Sequence, residues 1–168
     1  MKSREVYSDC CYARDEFSLA IKSGDYKKAK VMWFSCLTLL RAIGHVLHKV
    51  DSKQYGKPFS DKLQDRFKSW KKDEEIYKDF IEKERNQILK EYSSSILVKQ
   101  STQQEVITTT DGEPITTSDG DLITAEITLQ SLVKAHGHLA GETPLTVLNQ
   151  AIDWWDKQLE FFESVVNT

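Results

Sequence analysis

Apolar residues recur at three- and four-residue spacing along most of the chain, which predicts amphipathic α-helices. A first helix is expected from about Ser8 to Lys22, because its apolar positions share one face and a Ser-Gly pair follows as a stop signal. Asp25 can cap a second helix, from about Tyr26 to Asp51, which carries two adjacent apolar stripes. Such stripes predict a helix buried on most of its circumference, and Gly44 predicts close approach of a neighbouring helix.

A long third helix is expected from about Asp61 to Tyr92, after a loop over residues 52–59 that contains a glycine and a proline. The apolar stripe of this helix is interrupted at Glu74 and again at Glu84 and Arg85. Charged residues at positions expected to be buried are not explained by apolar packing, so this helix is a candidate location for functional residues.

Residues 93–130 differ from the helical segments, because serine, threonine and β-branched residues replace the helix formers. An eight-residue repeat, Ile107 to Pro114 and then Ile115 to Leu122, contains Asp-Gly in each copy. Asp-Gly accommodates the positive φ of tight hairpin turns, so the repeat predicts short strands joined by turns. A mobile polar loop is the alternative interpretation.

A last helix is expected to begin at Pro144, whose missing N–H does no harm at the first helical position. Its broad aromatic face must be buried against other helices. The pattern as a whole predicts a mainly α fold, a four-helix-type bundle with a short antiparallel β-hairpin or meander before the last helix. We expect one domain over residues 1–168, with the β-rich insertion and its loop at residues 93–142.

The composition suits one domain with one core, since 39% of the 168 residues are hydrophobic. No run approaches the ~18 uncharged apolar residues of a membrane span, and the N-terminus shows no apolar signal segment. Three cysteines, with Cys10 and Cys11 adjacent and Cys36 at a core position, do not suggest a disulfide framework. These features predict a cytoplasmic protein without a membrane partner.

Charge is divided unevenly along the chain, whose net charge is −3. Residues 1–92 carry 20 Lys and Arg against 15 Asp and Glu, whereas residues 93–168 carry 3 against 11. An uneven division can mark an anion-binding face, such as a nucleic-acid footprint. A solvated surface is the other interpretation, because the acids of the first part are interleaved with its bases.

The third helix is predicted to end with a motif in which Arg85 is followed by Asn86, Lys90 and Tyr92. The sequence here resembles the HEPN superfamily, helical bundles that include many ribonucleases. Their motif is an arginine, four to six residues, and a histidine, often with asparagine after the arginine and tyrosine two positions after the histidine. Arg85, Asn86 and Tyr92 match these positions, and Lys90 stands where the histidine would be.

The lysine affects the expected chemistry, because metal-independent RNA cleavage needs a group that exchanges a proton near neutral pH. A lysine has an unperturbed pKa of ~10.4 and acts better as a fixed positive charge on a phosphate. The resemblance therefore implies RNA or nucleotide binding with weak or lost ribonuclease activity, in a homodimer with the motif near the subunit interface. In the alternative, Arg85 pairs with Glu82 or Glu74 and Tyr92 simply packs.

A second set of polar residues, Arg41, His45 and His48, shares one face of the second helix. In one interpretation these residues lie opposite Arg85 in a cleft, where His45 replaces the histidine missing from the motif. In the other they form the solvent edge of a buried helix, with the histidines favoured by the C-terminal helix dipole.

Sequence motifs for metals or cofactors are not evident. The four histidines lack the spacing of known zinc motifs, and the acidic residues of the repeat do not match a calcium loop. We therefore predict neither metal nor cofactor. A non-enzymatic module that recruits a protein partner through the β-rich insertion or the aromatic last helix is the alternative function.

Overall fold

The computed structural model describes residues 1–166, and this part of the chain forms five α-helices, two π-helical segments and two strands. The α-helices are α1 Lys2–Lys22, α2 Tyr26–Val46, α3 Ser52–Asp73, α4 Lys83–Glu91 and α5 Pro144–Val166. The π-helical segments are Leu47–Asp51 and Ile76–Glu82, and the strands are β1 Ile96–Val106 and β2 Thr124–Lys134. The predicted fold class is confirmed, since the protein is mainly α with an antiparallel hairpin before its final helix.

Helix α1 begins at Lys2, six residues before the predicted start at Ser8. Its first turn is held by Asp51, whose carboxylate accepts the backbone N–H groups of Lys2 at 2.8 Å and Ser3 at 3.0 Å. Free N–H groups at a helix start need acceptors, and here the acceptor comes from a residue far along the chain. Local sequence could not show this start, because the cap is tertiary.

Helix α2 follows the prediction closely. Asp25 caps it by accepting the N–H of Lys28 at 2.9 Å, and the helical run continues to Asp51 through the first π-helical segment. A Cβ atom at Gly44 would lie 3.1 Å from the Trp155 ring of α5. The predicted close approach of a neighbouring helix at Gly44 is confirmed.

The region after α2 departs from the prediction. The expected loop over residues 52–59 is helical from Ser52, and only Gly56 leaves helical geometry, with φ 78° and ψ −166°. The long helix expected over residues 61–92 is interrupted at Glu74, with φ −102° and ψ 99°. Glycine accepts positive φ at one position without a longer loop, so its presence marked a kink rather than a connection.

The core of the helical part is aromatic and centred on Trp70 of α3. Its ring lies within 5.3–5.4 Å of the rings of Trp154 and Trp155 of α5, and 5.7 Å from that of Tyr77. The buried indole N–H of Trp70 donates to Gln158 at 3.1 Å. Burying large aromatic side chains contributes ~2–3 kcal/mol each, so this cluster fixes α3 and α5 together. Cys36 is also fully buried, as predicted.

Two compact units share the chain: residues 1–97 together with residues from 132 onward, and Val98–Ser131. The second unit contains most of the hairpin and the eight-residue repeat. Ile107, Ile115 and Ile123 bond to one another in a ring, each N–H donating to the carbonyl of another of the three at 2.8–2.9 Å. The glycines of both Asp-Gly pairs have positive φ, 85° and 92°, so the predicted short strands and turns are present.

Of the described residues, the helical run Tyr26–Asp73 alone is long and apolar enough to cross a membrane by length and composition. The core helix of a soluble protein meets the same criterion, and 39% of the relevant window is buried within the structure.

Candidate functional site

A cationic groove lies between α2 and α3, and we call it the His45 groove. It encloses about 400 Å³. Its lining comes from two stretches of helix: Arg41, His45, His48 and Lys49 on one side, and Gln64, Phe67, Lys68 and Lys71 on the other. Within the described chain, no carboxylate lines it.

Helix periodicity explains how α3 contributes its side of the groove. Gln64, Lys68 and Lys71 are spaced by four and three residues, which brings them onto one face of the helix. Phe67, next to them, is half-buried and is the apolar residue of the lining. Its ring meets the His48 ring edge to face, with centroids 5.8 Å apart. The Phe67 and Trp70 ring centroids are 4.9 Å apart, so the groove adjoins the aromatic core.

Arg41 lines the groove and is held by two partners. Its guanidinium donates to the Tyr77 hydroxyl at 2.8 Å and pairs with Glu82 at 3.3 Å. Burial raises the pKa of Tyr77 to about 12, so its hydroxyl stays protonated. Arg41 therefore joins α2 to the second π-helical segment, and its charge is partly compensated.

His45 is exposed in the groove and surrounded by cations. Its pKa is lowered from the ordinary value of 6.5, first by burial of part of the ring and then by Arg41, Arg85, His48 and Lys49. The imidazole is therefore mainly neutral at pH 7. A neutral ring can accept a proton, and an anion placed beside it would favour the charged form.

Arg85 lies near the His45 groove without lining it. One guanidinium N–H donates to Asn86 at 3.0 Å, and its buried Nε has no hydrogen-bond partner within the described residues. The alternative in which Arg85 pairs with Glu82 or Glu74 does not hold, because Glu82 pairs with Arg41 and Glu74 accepts from the Trp154 indole at 3.3 Å. Arg85 forms no ion pair with any carboxylate of residues 1–166.

The other motif residues lie on two further surfaces. Asn86 and Lys90 line a separate shallow cavity of about 350 Å³, which also contains Glu82 and Glu91. Tyr92 ends α4 in the left-handed region and packs against Phe34 of α2. The structure therefore distributes the candidate residues: His45 in the cationic groove, Asn86 and Lys90 in a mixed-charge hollow, and Tyr92 on an aromatic surface.

Sequence reasoning missed Lys68 and Lys71, which complete the groove. Their spacing on α3 was visible, but lysines at helical spacing are usually a solvated face, and only packing shows which helix they oppose. It also missed Lys134, which forms a buried ion pair with Glu84. For metals, no three His, Cys, Asp or Glu side chains within residues 1–166 form a group that could hold an ion.

Comparison of the chain with protein-family models, with curated proteins and with solved structures gives no match. The HEPN resemblance therefore continues to rest on the motif residues from Arg85 to Tyr92. The function is therefore inferred from the groove and the cavities described above.

Proposed function

We propose that this protein binds RNA through the His45 groove, as a HEPN-like helical module with weak or lost ribonuclease activity. The observation that carries the proposal is the lining of the groove, in which Lys49, Lys68 and Lys71 stand on two facing helices without a carboxylate among them. Lysine ammonium groups on both walls suit a phosphate backbone that passes between them.

Affinity for a polyanion depends on the charge of the binding surface as well as on net charge. The chain as a whole is at −3, yet six of the eight groove residues are Arg, Lys or His. Phosphate contacts by such side chains release counterions, which supplies most of the free energy of sequence-independent binding. His45 adds a group whose charge increases when an anion is bound.

Strong ribonuclease activity is not part of the proposal. Lys90 replaces the motif histidine and lines a different cavity from His45, so the pieces of an acid–base pair are not together in one groove. The HEPN resemblance adds a homodimer to the proposal, and sedimentation velocity would test that part separately.

The groove is tested by a charge-reversal pair, Lys49→Glu with Lys71→Glu. Both side chains are exposed, and one comes from each wall. Fluorescence anisotropy with a short labelled RNA strand should show a loss of about tenfold or more in affinity, and a decrease of about 1.4 in the slope of log affinity against log salt. Each lost phosphate contact of a single strand accounts for about 0.7 of that slope.

Lys53→Glu with Lys57→Glu is the matched control, because these two lysines are also exposed on α3 but lie outside the groove. The control should bind within a factor of about two of the unmodified protein. If both pairs weaken binding equally, the groove is not the site. Absence of binding to the unmodified protein even at low salt would exclude RNA binding altogether.

A second candidate function, recruitment of a protein partner, is favoured by the two strands. Within residues 1–166, β1 and β2 pair only with each other in the sheet, so each 11-residue strand has one edge without a neighbouring strand. Unpaired edges are templates for a strand from another chain. Loss of a co-purifying partner on removal of the hairpin, with RNA binding intact, would support this candidate.

A further inference from the structure

An aromatic surface with its own cavity lies where α4 ends against α2. The cavity measures about 450 Å³ and is lined by Val31, Phe34, Ser35, Thr38, Leu39 and Tyr92. Tyr92 is 70% exposed and Val31 is 50% exposed, so large apolar side chains face solvent here. Exposed apolar side chains grouped around a hollow are a feature of binding surfaces rather than of a closed core.

The backbone at Tyr92 adopts an unusual conformation. Tyr92 has φ 50° and ψ 28°, a left-handed conformation that few residues other than glycine adopt, and its N–H donates to the Ile88 carbonyl at 2.9 Å. The Tyr92 and Phe34 rings meet edge to face, with centroids 5.3 Å apart. A large side chain in a sparsely populated conformation is a feature found at functional sites.

The ammonium group of Lys30 lies beside the two rings. The Lys30 ammonium lies 5.0 Å from the centroid of the Tyr92 ring and 5.5 Å from that of the Phe34 ring. Two aromatic rings beside a positive charge match the chemistry of a nucleotide, which has a flat π-face and a negative phosphate. An aliphatic protein side chain would use the rings but not the ammonium.

The aromatic surface lies in line with the His45 groove on α2. Phe34, Thr38, Arg41 and His45 are spaced by four, three and four residues, so they follow one line along the helix. Phe34 and Thr38 line the aromatic cavity, while Arg41 and His45 line the groove. From Phe34 to His45 the helix rises about 16 Å, which a strand of a few nucleotides spans.

We propose that the Tyr92–Phe34 surface stacks one unpaired nucleobase of the RNA strand whose phosphates occupy the His45 groove. This inference rests on the proposed function and narrows it to single-stranded RNA. A base inside a duplex is already stacked on both faces, so it cannot lie flat on a protein ring, whereas an unpaired base can. Lys30 supplies the charge for the phosphate next to that base.

The test compares Tyr92→Leu with the unmodified protein on three labelled probes: an RNA strand, the corresponding RNA duplex and an abasic strand of the same length. Leucine keeps apolar bulk and removes the π-face. The variant should lose roughly fivefold to a hundredfold in affinity for the strand, because one base–aromatic stack is removed. Affinity for the duplex and for the abasic strand should not change.

Two further variants make the result specific. Tyr92→Trp should preserve strand binding because indole also stacks, and Tyr12→Leu, at an exposed tyrosine of α1, should behave like the unmodified protein. If Tyr92→Leu weakens all three probes equally or leaves strand binding intact, the stacking proposal is wrong while groove binding stands. A changed sedimentation coefficient in Tyr92→Leu would overturn it as well, by assigning the surface to self-association. Failure of every probe to bind would instead remove the proposed function.

Discussion

Lys134, the last residue of β2, and Glu84, in the first turn of α4, form an ion pair at 2.5 Å with side chains only 0% and 3% exposed. The second Glu84 oxygen accepts from the Ser95 hydroxyl at 2.5 Å, and Lys134 also donates to the His136 carbonyl. Both buried charges are thus hydrogen-bonded beyond the pair itself, which is the condition under which burial of ions is tolerated. The pair therefore joins α4 to the end of β2.

Removal of one partner should destabilise the fold strongly. Lys134→Met leaves the Glu84 carboxylate buried and unpaired, so we expect the free energy of unfolding to decrease by about 3–5 kcal/mol in urea titrations. The double variant Glu84→Leu with Lys134→Met removes both charges and should recover most of that loss, because apolar replacement of a buried pair is often neutral.

The exposed pair Lys2–Glu5 serves as the control, since it has the same charges without burial. Lys2→Met should leave the urea midpoint unchanged. The buried pair does not stabilise α4 as described if Lys134→Met also leaves the urea midpoint unchanged. The same conclusion follows if the double variant is less stable than the single one.

Gly137 provides an independent test of the same contact. Its φ is +84°, and an added Cβ atom would lie 2.9 Å from a Glu84 carboxylate oxygen and 3.2 Å from the Lys134 ammonium. Gly141 has φ +97° with no atom within 4 Å of an added Cβ. Gly137→Ala should therefore cost more than Gly141→Ala, by about 1–2 kcal/mol above the ~1 kcal/mol of positive φ that both share. Equal urea midpoints for the two variants would contradict this packing.

Helix boundaries could be predicted from the sequence where the residues that determine them lie within or next to the helix. Asp25 and the two stripes of α2 predicted that helix correctly, and Pro144 predicted the start of α5. The start of α1 and the break at Glu74 depend on partners far away, Asp51 and Trp154. Periodicity contains no information about such partners, so both boundaries were misplaced.

The candidate site could be predicted from the sequence only where helix periodicity alone places the residues. The shared face of Arg41, His45 and His48 follows from helix geometry and does line a groove. Which residues oppose that face depends on how α3 packs, so Lys68 and Lys71 were missed. Arg85 and Lys90 were expected at one site because they share a motif, but five residues of helix turn them toward different surfaces.

Binding of RNA should depend on pH through His45. A bound phosphate favours the imidazolium, so the His45 pKa, lowered in the free protein, should rise in the complex. The complex then takes up a proton, and affinity should increase as pH falls through the bound-state pKa and decrease as pH rises through it. NMR titration of the histidine ring signals with and without RNA measures the shift, and His45→Gln should reduce the pH dependence. An unchanged His45 pKa on saturation with RNA would place the phosphate elsewhere.

Arg85 affects the pKa of His45 although it does not line the groove. Its charge contributes to the low pKa of His45, so Arg85→Gln should raise that pKa toward the ordinary value of 6.5. Because Arg85 does not line the groove, the same variant should weaken RNA binding less than Lys49→Glu with Lys71→Glu does. The two measurements, NMR titration and anisotropy, use one protein preparation. If Arg85→Gln abolishes binding completely, the motif arginine itself contacts RNA and the groove is secondary.

The unit Val98–Ser131 should be separable from the helical unit. None of the buried core residues belongs to this segment, and it carries one lysine against six carboxylates. Replacing it with an Asn-Gly turn changes the net charge from −3 to +2. We expect the thermal midpoint, followed by far-UV circular dichroism, to stay within a few degrees, and RNA affinity at low salt to rise because a source of repulsion is gone.

A full-length variant with the six carboxylates of that unit changed to amides separates charge from deletion. It should reproduce the gain in RNA affinity without any change in chain length, since it removes the six negative charges and keeps the segment. Both gains should vanish at high salt. If excision unfolds the helical unit, as judged by loss of the cooperative melt, the core depends on the hairpin. If excision raises affinity but the amide variant does not, the gain does not come from the charge of this segment.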